Sequence, residues 1–325
     1  MADFNIKSMK PDRRRLIQLY SALLYNAHLK GFISGDIFKG AGKAICVPGF
    51  NCYSCPGAVG SCPLGALQNA LAASNSRTPT FVIGIILLYG LIFGRTVCGY
   101  LCPAGLVQEL LHKIPTPKLK KSRITEILCA FKYVLLIVLV LAVPLWYGFQ
   151  YLPVPAFCKY FCPVGTFEGA VGLLSNPANE GLFSMLGLLF TRKFVILLLI
   201  TGLCIFAYRA FCRFFCPLGA IYGLFARVNV VGVKLNRSTC IDCGRCVSVC
   251  QMDIRHVGDH ECIHCGQCID SCPVNAISFK AGNITLRQNE CEQTAESRRK
   301  EKKTAALAWS LALLVLAVVF VLSNI

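Results

Sequence analysis

Eight of the 21 cysteines in this 325-residue chain fall into two runs of Cys-x2-Cys-x2-Cys-x3-Cys: Cys240/Cys243/Cys246/Cys250 and Cys262/Cys265/Cys268/Cys272. Thiolates at this spacing wrap cubane [4Fe-4S] clusters, and in tandem runs the fourth cysteine of each run ligates the other run's cluster. The expected sets are therefore Cys240, Cys243, Cys246 with Cys272, and Cys262, Cys265, Cys268 with Cys250. Their chemistry is one-electron transfer. Zinc is the competing ligand, but it favours two Cys-x2-Cys pairs at longer separation, or histidine among the ligands.

A second pattern runs through the rest of the chain. Cys-Pro-x-Gly occurs at Cys62-Pro63, Cys102-Pro103, Cys162-Pro163 and Cys216-Pro217. Three copies have a cysteine four residues upstream (Cys98, Cys158, Cys212), and the first has Cys55 seven upstream. Proline suits a first helical position because its missing N–H has no partner there. The cysteine then sits against unpaired N–H groups and the positive end of the helix dipole, which stabilise an anionic thiolate. Glycine lets the backbone approach a cluster closely.

Two tandem units emerge, Cys55/Cys62 to Cys98/Cys102 and Cys158/Cys162 to Cys212/Cys216, with Arg95 and Arg209 each three residues before the first inner cysteine. Such duplication fits parallel repeats related by an axis along the membrane normal. A third cluster is expected on Cys98, Cys102, Cys212 and Cys216. For a fourth, on the outer side, six cysteines compete. Symmetry favours Cys55, Cys62, Cys158 and Cys162, whereas local spacing favours Cys46, Cys52, Cys55 and Cys62; the symmetric set is preferred, and the leftover pair could form a disulfide on an oxidising side. Structural thiols lining helix junctions are the plainer alternative for both sets. Cys129 and Cys204, in apolar stretches, read as small buried hydrophobes, and Cys291 receives no role.

The sixth position after each Cys-Pro cysteine holds Gln68, Gln108, Glu168 or Tyr222, able to hydrogen-bond a cluster sulfur or a quinone headgroup, or simply to pack. Histidine is scarce. Only His28 falls in a candidate span, which argues against a bis-histidine haem; His256, His260 and His264 flank the second run and read as solvated, with His264 able to tune a potential. There is no dinucleotide fingerprint, P-loop or nucleophile constellation, and no catalytic residue is assigned.

These cysteines need a scaffold, and composition says which kind. With 55% hydrophobic and 15% charged residues, the chain is too apolar for an ordinary soluble domain. Its fold class is mainly α: a polytopic helical membrane protein of about five spans with a small α+β ferredoxin domain. The spans lie near residues 14–33, 79–96, 131–149, 185–208 and 305–323, and the divisions are 1–236 (membrane domain), 237–282 (ferredoxin-like), 283–304 (charged linker) and 305–325 (last span). The net charge of +17 sits at the ends of apolar stretches, which fits positive-inside topology and no nucleic-acid partner. Lysine and arginine counts in the flanks place the N-terminus, the 97–130 loop and the ferredoxin module in the cytoplasm, in a bacterial-type inner membrane.

The segments Cys98-Gly-Tyr-Leu-Cys102-Pro and Cys212-Arg-Phe-Phe-Cys216-Pro, followed by the tandem runs, resemble the membrane-bound ferredoxin-type proteins of bacterial respiration. These include the polyferredoxin of periplasmic nitrate reduction, the ferredoxin-type protein of methylamine utilisation and the membrane-ferredoxin half of the nitrous oxide reductase regulator. The resemblance covers about residues 79 to 280. It implies cytoplasmic clusters coupled to the quinone pool or to a soluble or membrane partner reductase. This chain departs from the pattern in its extra outer cysteines and in Gln251, where a proline commonly follows the fourth ferredoxin cysteine.

The function expected is a membrane-bound electron carrier, an electron-transfer subunit rather than an enzyme on its own. The competing expectation is a redox-sensing regulator or a maturation factor for another metalloenzyme. A second span of about 17 residues rises roughly 26 Å, so transfer between inner and outer clusters needs re-entrant cysteines, a quinone or a partner cofactor.

Overall fold

The computed structural model describes residues 13–72, 80–119, 121–150, 152, 154–288 and 295–324, with side chains of 295–307 excepted. Cys291 lies outside these residues. The chain is mainly helical and carries one small antiparallel sheet.

Helix α1 (Arg13–Tyr25) turns its polar residues inward: Arg14, Gln18 and Ser21 are buried while Leu16, Leu19 and Leu23 face out. This reverses the soluble pattern and suits an apolar surrounding. The expected 14–33 span is not one helix. The chain breaks after Tyr25 because His28 N–H bonds the Gly57 carbonyl (3.1 Å), and a separate helical turn, Lys30–Ser34, follows. A re-entrant stretch then carries Cys46 to Cys62 into the interior, where Cys46, Phe50, Asn51, Cys55 and Cys62 are all buried.

Helix α2 (Pro63–Ala72) starts at the first Cys-Pro motif. Helix α3 (Thr80–Ile92) has 13 residues, about 20 Å, well short of the 79–96 span expected. Gly94 ends it by adopting φ +50°, which turns the chain into the short α4 (Thr96–Tyr100) and then α5 (Pro103–His112), begun by Pro103.

Two helices are long and apolar enough to cross a membrane: α6 (Arg123–Phe149) and α8 (Leu188–Phe206). Neither is a buried core helix. In α8 only Ile200 and Cys204 are buried, and Leu188, Leu198 and Leu199 lie open; exposed apolar surface on this scale marks contact with lipid or another apolar partner. Helix α6 starts on a capping box, Ser122 with Thr125, and widens to π geometry over Leu136–Ala142 ahead of Pro144, whose ring displaces a carbonyl one turn back. Between them α7 (Ala156–Tyr160) leads to the Pro163 motif and a π-helical stretch, Gly165–Val171. After α8 comes α9 (Pro217–Leu224), again begun by the motif proline.

Strand β1 (Val231–Leu235) pairs with β2 (Ile277–Ala281), Val233 opposite Phe279, and β2 pairs with β3 (Ile284–Arg287). The sheet therefore begins six residues before the expected 237 boundary. Helices α10 (Arg245–Val249) and α11 (Gln267–Ser271) carry cysteines of the two runs. The final helix, α12 (Ala295–Asn324), lies along α1 in the same direction: Tyr20 Oη donates to the Ala312 carbonyl (2.9 Å), and Asn324 Nδ2 donates to Ala27 (2.8 Å).

Against the five-span expectation, the described residues contain two helices long and apolar enough to cross a membrane and two shorter apolar helices, Thr80–Ile92 and Ala308–Asn324.

Candidate iron-sulfur sites

Cys98, Cys102, Cys212 and Cys216 are all buried in one core at the ends of α4, α5 and α9. Burial pushes the Cys102 thiol up to about 12, and the adjacent Cys212 and Cys98 sulfurs push the same way. Cys216 is driven well above the usual thiol range by burial and by Cys212, Cys98 and Cys102. Buried thiols raised in this way, as Cys102, Cys212 and Cys216 are, favour the thiolate form when a cationic metal sits among them. Cys216 Sγ already accepts the Gly219 N–H (3.1 Å), the helix-start contact that Cys-Pro-x-Gly implies. At Gly219 an added Cβ would press on that sulfur at 3.4 Å. The chemistry of this donor set fits a [4Fe-4S] cluster.

The two units hold each other's cysteines. Arg95, from unit one, points Nη2 at the Cys212 carbonyl (3.4 Å); Arg209, from unit two, donates to the Cys98 carbonyl. Both side chains are 0% exposed. Glu109 answers Arg209 Nε (2.9 Å) and forms a bidentate pair with Arg14 (2.7 and 2.7 Å), so its carboxyl is held down to about 2 by those cations against the cost of burial.

The sixth-position residues follow the same rule. Gln108 Nε2 donates to Cys212 Sγ (3.0 Å) while its Oε1 accepts the Phe211 and Cys212 N–H groups (3.0 and 3.3 Å). Gln68 repeats this in the outer half, donating to Cys158 Sγ (3.4 Å) and accepting from Phe157 N–H (2.9 Å). Glu168 accepts the Cys52 N–H (2.7 Å), and Tyr222 Oη donates to the Pro48 carbonyl (2.8 Å). Gln68 and Gln108 reach into the opposite unit, while Glu168 and Tyr222 reach the segment just ahead of unit one.

In the ferredoxin module Cys250, Cys262, Cys265 and Cys268 wall one small cavity. Cys262 is pushed up to about 12, by burial first and then by the Cys265 and Cys250 sulfurs. Cys240, Cys246 and Cys272 pack together on the far side, with Cys243 exposed beside them. His264 is not solvated. It is buried with φ +53°, and its Nδ1 accepts the Val233 N–H (3.0 Å) from β1, so burial drops its basicity to about 3. His256 and His260 are exposed, His260 half open and paired with Asp259.

The Cys250/Cys262/Cys265/Cys268 set faces the inner membrane set directly. A Cβ at Gly99, next to Cys98, would fall 2.3 Å from the Ile263 carbonyl oxygen, next to Cys262. Arg95 Nη1 donates to the His260 carbonyl (2.7 Å) and to Glu261 Oε2 (2.8 Å); Lys132 from α6 pairs with the other Glu261 oxygen. Arg213 pairs with Asp253 at the same seam. Glu109 and Glu261 carried no motif. The hint available was the pair of arginines at matching offsets, whose burial requires carboxylate partners.

In the outer half, Cys52, Cys62, Cys158 and Cys162 line one cavity of about 390 Å³. Cys55 is not in its wall; its thiol points to Asn26 Oδ1 (3.7 Å). Cys46 is also outside it, fixed by a bridge to Ser61. The symmetric expectation therefore meets the geometry at Cys62, Cys158 and Cys162, and the remaining wall thiol is Cys52. His28 sits at the end of α12, on the Ser323 carbonyl. Among the described residues no three His, Cys, Asp or Glu side chains are close enough to hold a single metal ion.

A family model described as a 4Fe-4S binding domain matches residues 74–122, 133–178 and 182–238, and a second of the same description matches 233–255 and 258–278. The chain is 31% identical over 198 residues to an uncharacterized protein of Methanocaldococcus jannaschii, spanning 60% of this chain and 74% of that one. It is 30% identical over 229 residues to the methylamine utilization ferredoxin-type protein MauN of Paracoccus denitrificans, spanning 69% and 72%. The chain belongs to the 4Fe-4S ferredoxin-type electron-transport proteins. The regulatory protein NosR of Pseudomonas aeruginosa is 29% identical over 173 residues, 51% of this chain but 21% of its own length. No solved structure matches.

Proposed function

We propose that this ferredoxin-type protein is a membrane-embedded electron carrier that passes single electrons between a cytoplasmic partner and an acceptor or donor in the membrane, either the quinone pool or a partner subunit. The observation that carries the reading is the seam. Exposed Cys243 marks the entry end, and the buried Cys262–Cys268 set meets the Cys98/Cys102/Cys212/Cys216 set across Gly99 and Ile263 with no side chain between the backbones. Three clusters would be held in a row by the residues named, supplying one-electron redox chemistry without bond making.

The chain's own groups prepare those sites. Arg95 and Arg209 bring positive charge beside the inner thiolates, and Gln108 donates to one sulfur; both favour the more negative, reduced state. Basic flanks around α1, the 97–130 loop and the segment before α12 support a cytoplasmic ferredoxin face in an inner membrane. The test is reduction and reoxidation of the clusters by a quinol analogue or a soluble ferredoxin in anaerobic membranes. Flux at turnover-relevant rates supports the carrier. Loaded clusters that carry no flux overturn it in favour of a regulator or maturation factor.

A further inference from the structure

The outer cavity is built like the inner site. Four thiols line it, two from the Cys158/Cys162 motif on one side and Cys52 and Cys62 from the re-entrant segment on the other. Cys162 Sγ accepts the Gly165 N–H (3.3 Å), matching Cys216 and Gly219. Gly165 faces the sulfurs bare: a Cβ there would stand 3.6 Å from Cys162 Sγ and 3.7 Å from Cys52 Sγ. At Gly169 it would come within 3.2 Å of Cys52 Sγ, and at Gly65 within 3.7 Å of Cys158 Sγ. The distances at Gly165 and Gly65 are ordinary van der Waals contact, and only at Gly169 would the neighbour have to give way.

Gln68, fully buried, aims its amide N–H at Cys158 Sγ as Gln108 does at Cys212. Lys193 lines the cavity and holds the Cys158 carbonyl (3.2 Å), placing positive charge where a thiolate-bound cluster is negative.

We propose that Cys52, Cys62, Cys158 and Cys162 hold a fourth [4Fe-4S] cluster, set beside the inner site by the Phe50–Cys52 segment. The family-model match takes in Cys158 and Cys162 but begins at residue 74, after Cys52 and Cys62. The link is short. A Cβ at Gly49 would meet the Cys102 Cα at 3.0 Å. From Phe50 to Cys52 is two Cα steps, about 7.6 Å at most. Tyr222, six residues after Cys216, is buried and donates to the Pro48 carbonyl (2.8 Å), tying the inner motif to the segment that leads to Cys52. The re-entrant segment thus replaces the roughly 26 Å gap that a full span between the sites would impose.

The inference rests on the carrier reading, and its test separates the two. The full chain is purified anaerobically in detergent, reconstituted, and assayed for iron and acid-labile sulfide. Wild type should hold about sixteen irons, four per cluster. Cys52→Ser and Cys158→Ser should each lose about four with the ferredoxin signals intact, whereas Cys55→Ser should lose none. In reduced samples the electron paramagnetic resonance of the inner cluster should show a spin-coupling component that is lost in Cys52→Ser while its coupling to the adjacent ferredoxin cluster remains. Twelve irons in wild type, zinc in the outer site, or iron lost from Cys55→Ser but not Cys52→Ser overturns the fourth cluster and leaves the carrier intact. Sixteen irons without electron flux overturns the carrier and leaves the site.

Discussion

Replacing Glu261 by glutamine should weaken the protein more than any change to its cationic partners. Arg95 and Lys132 are fully buried and share this one carboxylate, whose side chain is 3% exposed. Two cations face one anion, and the surplus positive charge faces the inner thiolates. Glu261→Gln strips both cations of their one carboxylate partner among the described residues, and breaking a buried pair in this way costs about 3–5 kcal/mol. At roughly 2–4 °C per kcal/mol for a cooperative unit of 150–250 residues, the midpoint for thermal bleaching of cluster absorbance should fall by about 6–20 °C. Lys132→Met leaves Arg95 and Glu261 paired one to one in an apolar setting, and substitution of buried ions by apolar groups is often close to neutral. The midpoint is read anaerobically in detergent for both variants. A Glu261→Gln shift below about 2 °C, or a Lys132→Met shift larger than it, would refute the electrostatic account of the seam.

Three further outcomes follow from the same geometry. Gly99→Ala forces a methyl against the Ile263 carbonyl and should cost about 1–3 kcal/mol, while Gly84→Ala, with open space around it, should not; thermal midpoints decide. Gln108→Leu leaves the Phe211 and Cys212 N–H groups without their acceptor and removes the donor on Cys212 Sγ, so the inner cluster's reduction potential should fall while the ferredoxin potentials hold, as followed by redox titration. Glu109 has a carboxyl depressed to about 2 in the fold, so it favours the folded state above the ordinary carboxylate range and loses that contribution as pH falls from about 4.5 toward 2. The stability gap between wild type and Glu109→Gln should therefore be full at pH 7 and shrink in that window; a gap that is constant with pH contradicts it.

The parts legible in sequence were those written in local spacing. Cys-Pro-x-Gly marks helix starts through proline's geometry, and the polar sixth position stands out because it recurs. What spacing could not show is how a loop folds. Cys52 and Cys55 are three residues apart, and only the inward path of 46–62, fastened by Glu168 on the Cys52 N–H, turns Cys52 and not Cys55 into the cavity. Hydropathy likewise overran at 79–96, since Gly94 turns a continuous apolar run before it can span. His264 looked solvated beside its cysteines, but its left-handed backbone folds it under β1.

The crossed arginines carry a consequence for ancestry and assembly. One unit alone supplies half of each site: two thiols, an arginine that fits a carbonyl it does not own, and a polar residue whose partners lie elsewhere. Two identical copies about a two-fold axis would complete the set, which is how a gene half this length could have worked before fusion. In the present chain the same arrangement imposes an order of birth. With Cys98, Cys102, Cys212 and Cys216 as its proposed ligands, the inner centre would not close until Cys216 has been synthesised, and a product truncated before that point would leave this site open.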